Sequence, residues 1–342
     1  MNEIGNNLKR TRLLKDLSLK QAGNLLNMSA TAISKYEKGL IIPDSKKIIE
    51  FANAYNVTTV ELLKIYNKPS LNFSSFRKKK TLTGENLNLL KNVIENNIAN
   101  YLEVIELMDF NQNHLEFKKY SCININEIEN IVDNFRKKIN ISDIQPISDL
   151  TSLLENLGII IIEIKNIYNK FNGFDGFSEI INNIPVITIL EDQLDGARQR
   201  FTIAHELGHL LLNIKESDEE KICNKFASSL LMPKQAVINE FGSKRKNISL
   251  FEITSFVKEY KVSYTATTHR LKELNIISEF TYKKLREEIH DKIKISTIPP
   301  EKSCEFKRLV HKLESSDFIT FNKACELLGE TTDEYNEENN NY

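Results

Sequence analysis

The chain has 342 residues, 41% of them hydrophobic, which suffices for the cores of two or three ordinary domains. Its net charge of −1 is unevenly distributed: residues 1–80 carry 15 Lys and Arg against 6 Asp and Glu, and the remainder carries 31 against 41. A basic head on an acidic body favours a nucleic-acid-binding module joined to a second unit. The polar amino terminus, the short apolar runs and four scattered cysteines argue against a signal peptide, a membrane span and disulfides, so we expect a soluble cytoplasmic protein.

Residues 1–66 read as five short helices with recognisable start and stop signals. Ser18 and Ser29 suit helix N-caps, Gly39 suits a C-cap, and Pro43 precedes a further helix start. The sequence therefore predicts a small, self-contained helical domain.

The stretch LSLKQAGNLLNMSATAISKYEKGLIIPDSKKIIEFANAYNVTTVELL resembles the helix-turn-helix domain of the XRE family. By that resemblance the third helix enters the major groove of an operator in double-stranded DNA and points four residues at it: Ala30, Thr31, Ser34 and Lys35. XRE repressors commonly read paired half-sites, which implies a homodimer. The chain departs from the family at Leu19, where Gln is usual. The alternative is a helix-turn-helix used only for protein contacts or dimerisation.

Residues 67–125 combine a Pro-, Ser- and Lys-rich linker with an amphipathic pattern. Apolar residues recur at three- and four-residue spacing from about Glu85 to Phe110, which predicts one long connector helix. Its apolar seam has two interpretations: it packs on its own domain, or it forms a short coiled-coil dimer interface.

Residues 126–290 show an α+β pattern. Two helical stretches lead into the strand-like IIIIEIKNI, a Gly-containing turn and a second strand, IPVITIL, which predict a small antiparallel sheet beside helices. The whole chain is thus expected to be mainly α with a small α+β part.

The apolar stretch RFTIAHELGHLLLN contains His205, Glu206 and His209. Because residues i and i+4 lie on one face of a helix, the two histidines can bind one ion. Glu206 lies about 100° further round, close enough to reach a metal-bound water without binding the metal. This is the zincin arrangement, in which Zn²⁺ activates a water and a carboxylate takes its proton. The sequence predicts a zinc-dependent hydrolase with Glu206 as the catalytic base.

A catalytic zinc normally has three protein ligands, so a third must come from elsewhere in the chain. The following helix, from about residue 218, presents Glu220, which is the preferred candidate. Glu219 or Cys223 could bind the metal instead, and Glu220 could merely close a capping box that begins at Ser217.

The stretch RQRFTIAHELGHLLL…E..CNKFASSLLMP resembles the ImmA/IrrE family of metallo-endopeptidases. That resemblance implies that Glu220 is the third ligand and that Cys223 is a core residue. It also implies a protein substrate, with a repressor as the expected class. Three polar residues, Tyr264, His269 and Arg270, are further candidates for stabilising an oxyanion, against a structural role.

Residues 291–342 begin with a Pro-marked break, continue into a short closing helix at FNKACELLG and end in an acidic, Asn-rich tail predicted to be disordered. Together these features predict a DNA-binding regulator with a zinc endopeptidase domain that cleaves a regulator or itself. Two further functions fit the same sequence: a transcription factor with a non-proteolytic zinc-binding domain, or the autorepressor of a toxin–antitoxin pair.

Overall fold

The computed structural model describes residues 3–65, 69, 71, 82, 84–108, 119–122, 124–191, 195–214, 218–292 and 298–339. Most of the predicted linker, Ser217 and the last three residues lie outside these ranges. The helices in the amino-terminal half are α1 (Glu3–Leu14), α2 (Leu19–Leu25), α3 (Ala30–Glu37), α4 (Ser45–Tyr55), α5 (Thr59–Leu63), α6 (Gly84–Leu107), α7 (Ile128–Lys138) and α8 (Leu150–Asn156). Those that follow are α9 (Gly196–Leu211), α10 (Glu219–Leu231), α11 (Lys234–Phe241), α12 (Leu250–Tyr260), α13 (Tyr264–Glu273), α14 (Glu279–Lys292), α15 (Glu305–Ser315), α16 (Phe321–Leu328) and α17 (Thr332–Asn339). The strands are β1 (Tyr120–Cys122), β2 (Ile160–Ile164), β3 (Gly176–Ile181), β4 (Ile184–Leu190) and β5 (Leu212–Ile214). The mainly α fold with a small α+β part is confirmed.

Helices α1 to α5 form the predicted five-helix domain around its own core, which includes Leu8, Ile33 and Phe51. Ser18 and Ser29 act as the predicted N-caps of α2 and α3, because each side chain accepts a backbone N–H three residues on.

The connector helix α6 is buried within its own chain. Its apolar seam, which includes Leu90, Ile94 and Ile98, packs against the sheet and the carboxy-terminal helices. Of the two interpretations of this seam, packing on its own domain is therefore the one observed, and the seam is not a free dimer interface.

The main sheet is mixed, so the prediction of an antiparallel sheet is wrong for one of its two pairings. The strand order is β2-β4-β3, with β2 parallel to β4 and β3 antiparallel to β4. The cause is the two-residue turn at Asn182 and Asn183, both with positive φ, which folds β4 back on β3. The longer connection over residues 165–175 lets β2 pair with the far side of β4 instead. Strands β1 and β5 form a separate parallel pair.

Each face of the sheet contributes to a different core. Ile161, Ile187 and Ile189 point to the core that contains α9 and α10. Phe177 and Val186 point to the core shared with α6 and α15 to α17. The alternation of side chains along each strand therefore places α9 on one face and the connector helix on the other.

The carboxy-terminal region is folded against the rest of the chain. The predicted closing helix is confirmed as α16, but the prediction of a disordered tail is wrong for Thr332–Asn339, which forms α17. The physical reason is Tyr335, which is buried, stacks on His311 and hydrogen-bonds its Nδ1 at 2.8 Å.

The segment before α15 runs beside α9. The backbone of Glu301 exchanges two hydrogen bonds with the Gln199 side chain, each 2.7 Å long. The Glu301 carboxylate accepts the backbone N–H groups of Leu150 and Thr151 at the start of α8 and forms a buried ion pair with Arg200. This segment therefore joins α8 to α9.

Two lysines connect the amino-terminal domain to the remainder. The Lys64 ammonium, 9% exposed, pairs with Glu326 at 2.6 Å and donates to Asn100 Oδ1 at 3.0 Å. Lys170 donates to the Leu13 carbonyl and pairs with Asp16. Within the described residues, no helix is both long and apolar enough to cross a membrane.

Candidate metal centre

Helix α9 is an amphipathic helix whose apolar side is fully covered. Asp195 caps it by accepting the Ala197 N–H, and Ile203, Leu207 and Leu211 are buried on its core side. A Cβ on Gly208 would lie 3.3 Å from the Cys223 sulfur, so the absence of a side chain lets α10 pack closely on α9. The opposite face of α9 carries the two histidines.

The imidazoles of His205 and His209 converge on one point. Their Nε2 atoms are 3.1 Å apart, and the side chains are 13% and 18% exposed. Two imidazole Nε2 atoms this close are typical of nitrogens that share one cation.

The Glu220 carboxylate completes a group of three. Its oxygens lie 3.6 Å from His205 Nε2 and 3.5 Å from His209 Nε2. Ligands about 2.0–2.1 Å from a tetrahedral zinc lie about 3.3 Å from one another. The observed separations, two of which involve different oxygens of the Glu220 carboxylate, are close to that spacing, so the residues present fit a zinc ion. Among the described residues, these three are the His, Cys, Asp or Glu side chains whose ligand atoms lie close enough together to hold one metal ion.

The Nδ1 atoms of the same histidines face a second set of polar groups. His205 Nδ1 lies 2.9 Å from Asn224 Oδ1, and His209 Nδ1 lies 2.8 Å from Glu219 Oε1. Metal-binding histidines characteristically direct the other ring nitrogen to such an oxygen, which fixes the tautomer and the ring orientation. Glu219 therefore lies on the outer side of the histidines, whereas Glu220 lies on the inner side.

Two alternatives fit the geometry less well than metal binding by Glu220. One is a thiolate ligand from Cys223, and the other is a capping role for Glu220. Cys223 is fully buried, and its sulfur faces His209 Nδ1, at 3.5 Å, rather than Nε2. Helix α10 has Asp218 as its N-cap residue, without a side-chain cap hydrogen bond, and the Ser217 of the predicted capping box lies outside the described residues.

Glu206 lies beside the histidines, 8% exposed, and accepts a hydrogen bond of 2.7 Å from the Ser178 hydroxyl at Oε2. Burial raises the pKa of the Glu206 carboxyl, and the charge of His209 and the Ser178 hydrogen bond oppose that rise. Such a carboxylate has the position and the surroundings of a general base.

These groups line a cleft of about 330 Å³ that is open to solvent. One wall is α9 with Glu220 and Asn224 of α10, and the other is the start of β3 with the residue before it. The lining residues are Asp175, Gly176, Phe177, Ser178, Arg198, Phe201, Thr202, His205, Glu206, His209, Glu220 and Asn224. The cleft borders β3, which is an edge strand of the described sheet.

The three oxyanion candidates are not among the residues that line this cleft. Arg270 is buried in an ion-pair cluster with Glu129 and Glu273, and Tyr264 donates to Thr254. Two residues that contact the predicted site residues, Ser178 and Asn224, were not predicted to have a role in the site. Asn224 follows Glu220 by one helical turn, which is a detectable signal, whereas Ser178 had none.

The four residues predicted to face DNA lie on α3. Thr31 and Lys35 are exposed, and Ala30 and Ser34 are partly exposed. The Gln that the family usually has at position 19 is Leu in this chain. Gln21, two residues further along, closes a capping box with Ser18. The surface of α3 is thus accessible while the domain is docked on the remainder of the chain.

Comparisons with known proteins identify two domains. Residues 8–62 match the family model described as a helix-turn-helix, and residues 155–272 match Peptidase_M78, described as an IrrE N-terminal-like domain. The chain is therefore a fusion of an XRE-type helix-turn-helix domain and an IrrE N-terminal-like domain.

One solved structure with some similarity is Bacillus thuringiensis PlcR in complex with the peptide PapR7 and DNA. It has 14% identity over 99% of each chain and a TM-score of 0.21, which is too low to support an argument about fold or function. A search of curated proteins gave no match.

Proposed function

We propose that this chain is a DNA-binding regulator that carries a zinc-dependent endopeptidase. The observation that carries the proposal is the convergence of His205 Nε2, His209 Nε2 and the Glu220 carboxylate within 3.6 Å of one another, with Glu206 beside them in an open cleft. His205, His209 and Glu220 would hold Zn²⁺, which supplies Lewis acidity and lowers the pKa of a bound water.

Other residues of the chain would orient the ligands and transfer the proton during peptide hydrolysis. Glu219 and Asn224 hold the two imidazoles in the orientation that directs Nε2 to the cleft. Glu206 accepts a proton from the attacking water and later donates it to the leaving amine.

The substrate class follows from the shape of the cleft and from the family resemblance. Strand β3 is an edge strand of the described sheet, and an extended peptide segment can bind beside such a strand as a further strand. A protein segment that unfolds locally would therefore fit better than a rigid surface. The ImmA/IrrE resemblance points to a repressor or another regulator as that protein, including a second copy of this chain.

The helix-turn-helix domain would direct the protein to an operator in double-stranded DNA. Thr31 and Lys35 are exposed on α3, and residues 1–80 carry a net charge of +9, from 15 Lys and Arg against 6 Asp and Glu. The small side chains at Ala30 and Ser34 limit contacts with base edges, so phosphate contacts would supply most of the affinity.

The test pairs zinc content with proteolysis in wild type, Glu206→Gln and Glu240→Gln. Glu240 is an exposed residue of α11 and serves as a matched control. Each protein is stripped with chelator, reloaded with zinc, and incubated with its own chain and with purified repressors, with and without DNA. New termini are identified by mass spectrometry.

We expect about one zinc per chain in all three proteins and cleavage by wild type and Glu240→Gln alone. If all three proteins bind zinc and none of them cleaves, wild type included, the endopeptidase is refuted and a regulator whose metal site is structural or sensory is favoured. Absence of zinc from wild type would refute the metal site itself.

A further inference from the structure

The start of strand β3 makes an unusually close approach to Glu206. Gly176 and Ser178 lie on the same face of β3, because side chains alternate along a strand. Their partners in β4 are Ile189 and Ile187, which belong to the core that contains α9. Both residues therefore face the metal-binding helix.

Gly176 provides space that no other residue would leave. A Cβ at this position would lie 2.8 Å from Glu206 Oε1, 2.9 Å from its Cγ and 3.1 Å from its Cδ. Since real Cβ atoms essentially never approach heavy atoms below 3.0 Å, any side chain at residue 176 would displace the carboxylate. The steric requirement therefore concerns the position of the Glu206 side chain.

Ser178 holds the same carboxylate from a defined side. Its hydroxyl donates a hydrogen bond of 2.7 Å to Oε2, which leaves Oε1 without this donor. A Glu side chain has three rotatable bonds, and a single charge-assisted hydrogen bond selects among its rotamers. Ser178 thus fixes the rotamer of Glu206, and Gly176 leaves room for that rotamer.

We infer that Ser178 and Gly176 are positioning residues that orient the Glu206 carboxylate toward the metal centre. This inference rests on the proposed function, because orientation matters only if Glu206 acts on a group bound at that centre. Strand β3 then has two roles: its backbone edge borders the cleft, and its inward-facing positions set the geometry of the base.

The test uses a probe that does not require a known substrate. Acetohydroxamic acid binds an active-site metal through its two oxygens. A correctly oriented carboxylate then accepts a hydrogen bond from the proton that the bound probe retains. Its dissociation constant is measured from the visible spectrum of the cobalt-loaded full-length chain. The variants are Ser178→Ala, Ser178→Thr, Gly176→Ala and Glu206→Gln, and Ser121→Ala, at the exposed residue of β1, is the matched control.

We expect Ser178→Ala to bind the probe about tenfold more weakly, as befits the loss of a hydrogen bond to a charged group. Ser178→Thr, which retains the hydroxyl, and Ser121→Ala should bind it like wild type. Gly176→Ala and Glu206→Gln should bind it at least as weakly as Ser178→Ala. Metal content should be unchanged in every variant, which separates orientation of Glu206 from damage to the metal ligands.

Two results would overturn the inference, and they are distinguishable. If Glu206→Gln weakens binding but Ser178→Ala does not, the positioning role is wrong and the proposed function stands. If wild type binds no metal, or if Glu206→Gln leaves probe affinity unchanged, the proposed role of Glu206 fails, and the positioning role fails with it.

Discussion

The carboxyl of Glu163 makes the stability of this protein depend on pH near neutrality. Glu163 lies on β2, with Oε1 3.3 Å from the Ser303 backbone N and 3.4 Å from Gln199 Nε2. Burial raises its pKa from 4.5 to about 7; the charges of Glu191 and Glu155 add to the rise, and the Ser303 hydrogen bond and Lys302 oppose it.

The direction of the effect follows from proton linkage. Because the pKa is higher in the folded protein than in the unfolded chain, the folded protein binds more protons between about pH 4.5 and pH 7. Stability therefore falls as the pH rises through this window. At 1.36 kcal/mol per pKa unit, the difference between 4.5 and about 7 corresponds to about 3 kcal/mol. The Glu163→Gln substitution keeps the side-chain shape but removes the titration.

The assay is urea unfolding of the metal-free protein at pH 5 and pH 8, for wild type, Glu163→Gln and Glu287→Gln. Glu287 is exposed on α14 and controls for the loss of a charge. We expect Glu163→Gln to be more stable than wild type at pH 8 by about 3 kcal/mol and close to wild type at pH 5. An equal difference at both pH values would refute the reasoning, because the effect would then not come from titration.

Four further predictions test separate parts of the structure. Glu219→Gln should weaken zinc binding about tenfold in a chelator competition, because it removes the outer hydrogen-bond partner of a ligand. Glu220→Gln should weaken zinc binding far more, because it removes a ligand. Equal losses of affinity would show that the ligand assignment is wrong. Glu301→Gln should lower the free energy of unfolding by about 3 kcal/mol in urea, because it leaves the fully buried Arg200 without its counter-ion. Lys35→Ala should weaken DNA binding on every sequence and reduce the salt slope by about one, whereas Lys258→Ala on α12 should change neither. Burial raises the pKa of Glu129, but Arg270 and Lys225 outweigh it and lower the pKa to about 2. The Glu129 carboxylate should therefore contribute about 3 kcal/mol to the stability that wild type loses in urea unfolding as the pH falls from 4.5 to 2, and Glu129→Gln should lose less over that range.

Local signals in the sequence predicted those parts of the molecule that depend on local physics. The caps at Ser18 and Ser29 depend on contacts three residues apart, and the His205–His209 pair depends on one helical turn. The connector helix, predicted from Glu85 to Phe110, is observed at Gly84–Leu107, because its apolar periodicity continues over most of that length. Such features need no knowledge of what packs against them.

The order of the strands could not be derived in the same way. The sequence shows that IIIIEIKNI and IPVITIL are apolar strands, but both are buried, so neither alternation nor charge indicates their partners. The parallel pairing of β2 with β4 depends on the path of the residues 165–175 that separate β2 from β3. The prediction for the tail was wrong for a related reason: its composition is acidic, but it contains Tyr335, which is buried against His311 and Phe321.

The position of helix α9, which carries the two histidines, is set from three directions by segments far away in the sequence. Ser178 reaches Glu206 from 28 residues before it, and Glu301 reaches Arg200 from 101 residues after it. Glu219 and Asn224 hold the histidines from α10. The motif in the sequence thus specifies which atoms can bind a metal, whereas their orientation depends on tertiary contacts, one of which lies beyond the matched residues 155–272. The carboxy-terminal segment is therefore part of the structure that supports the site, although its sequence carries no motif that indicates such a role.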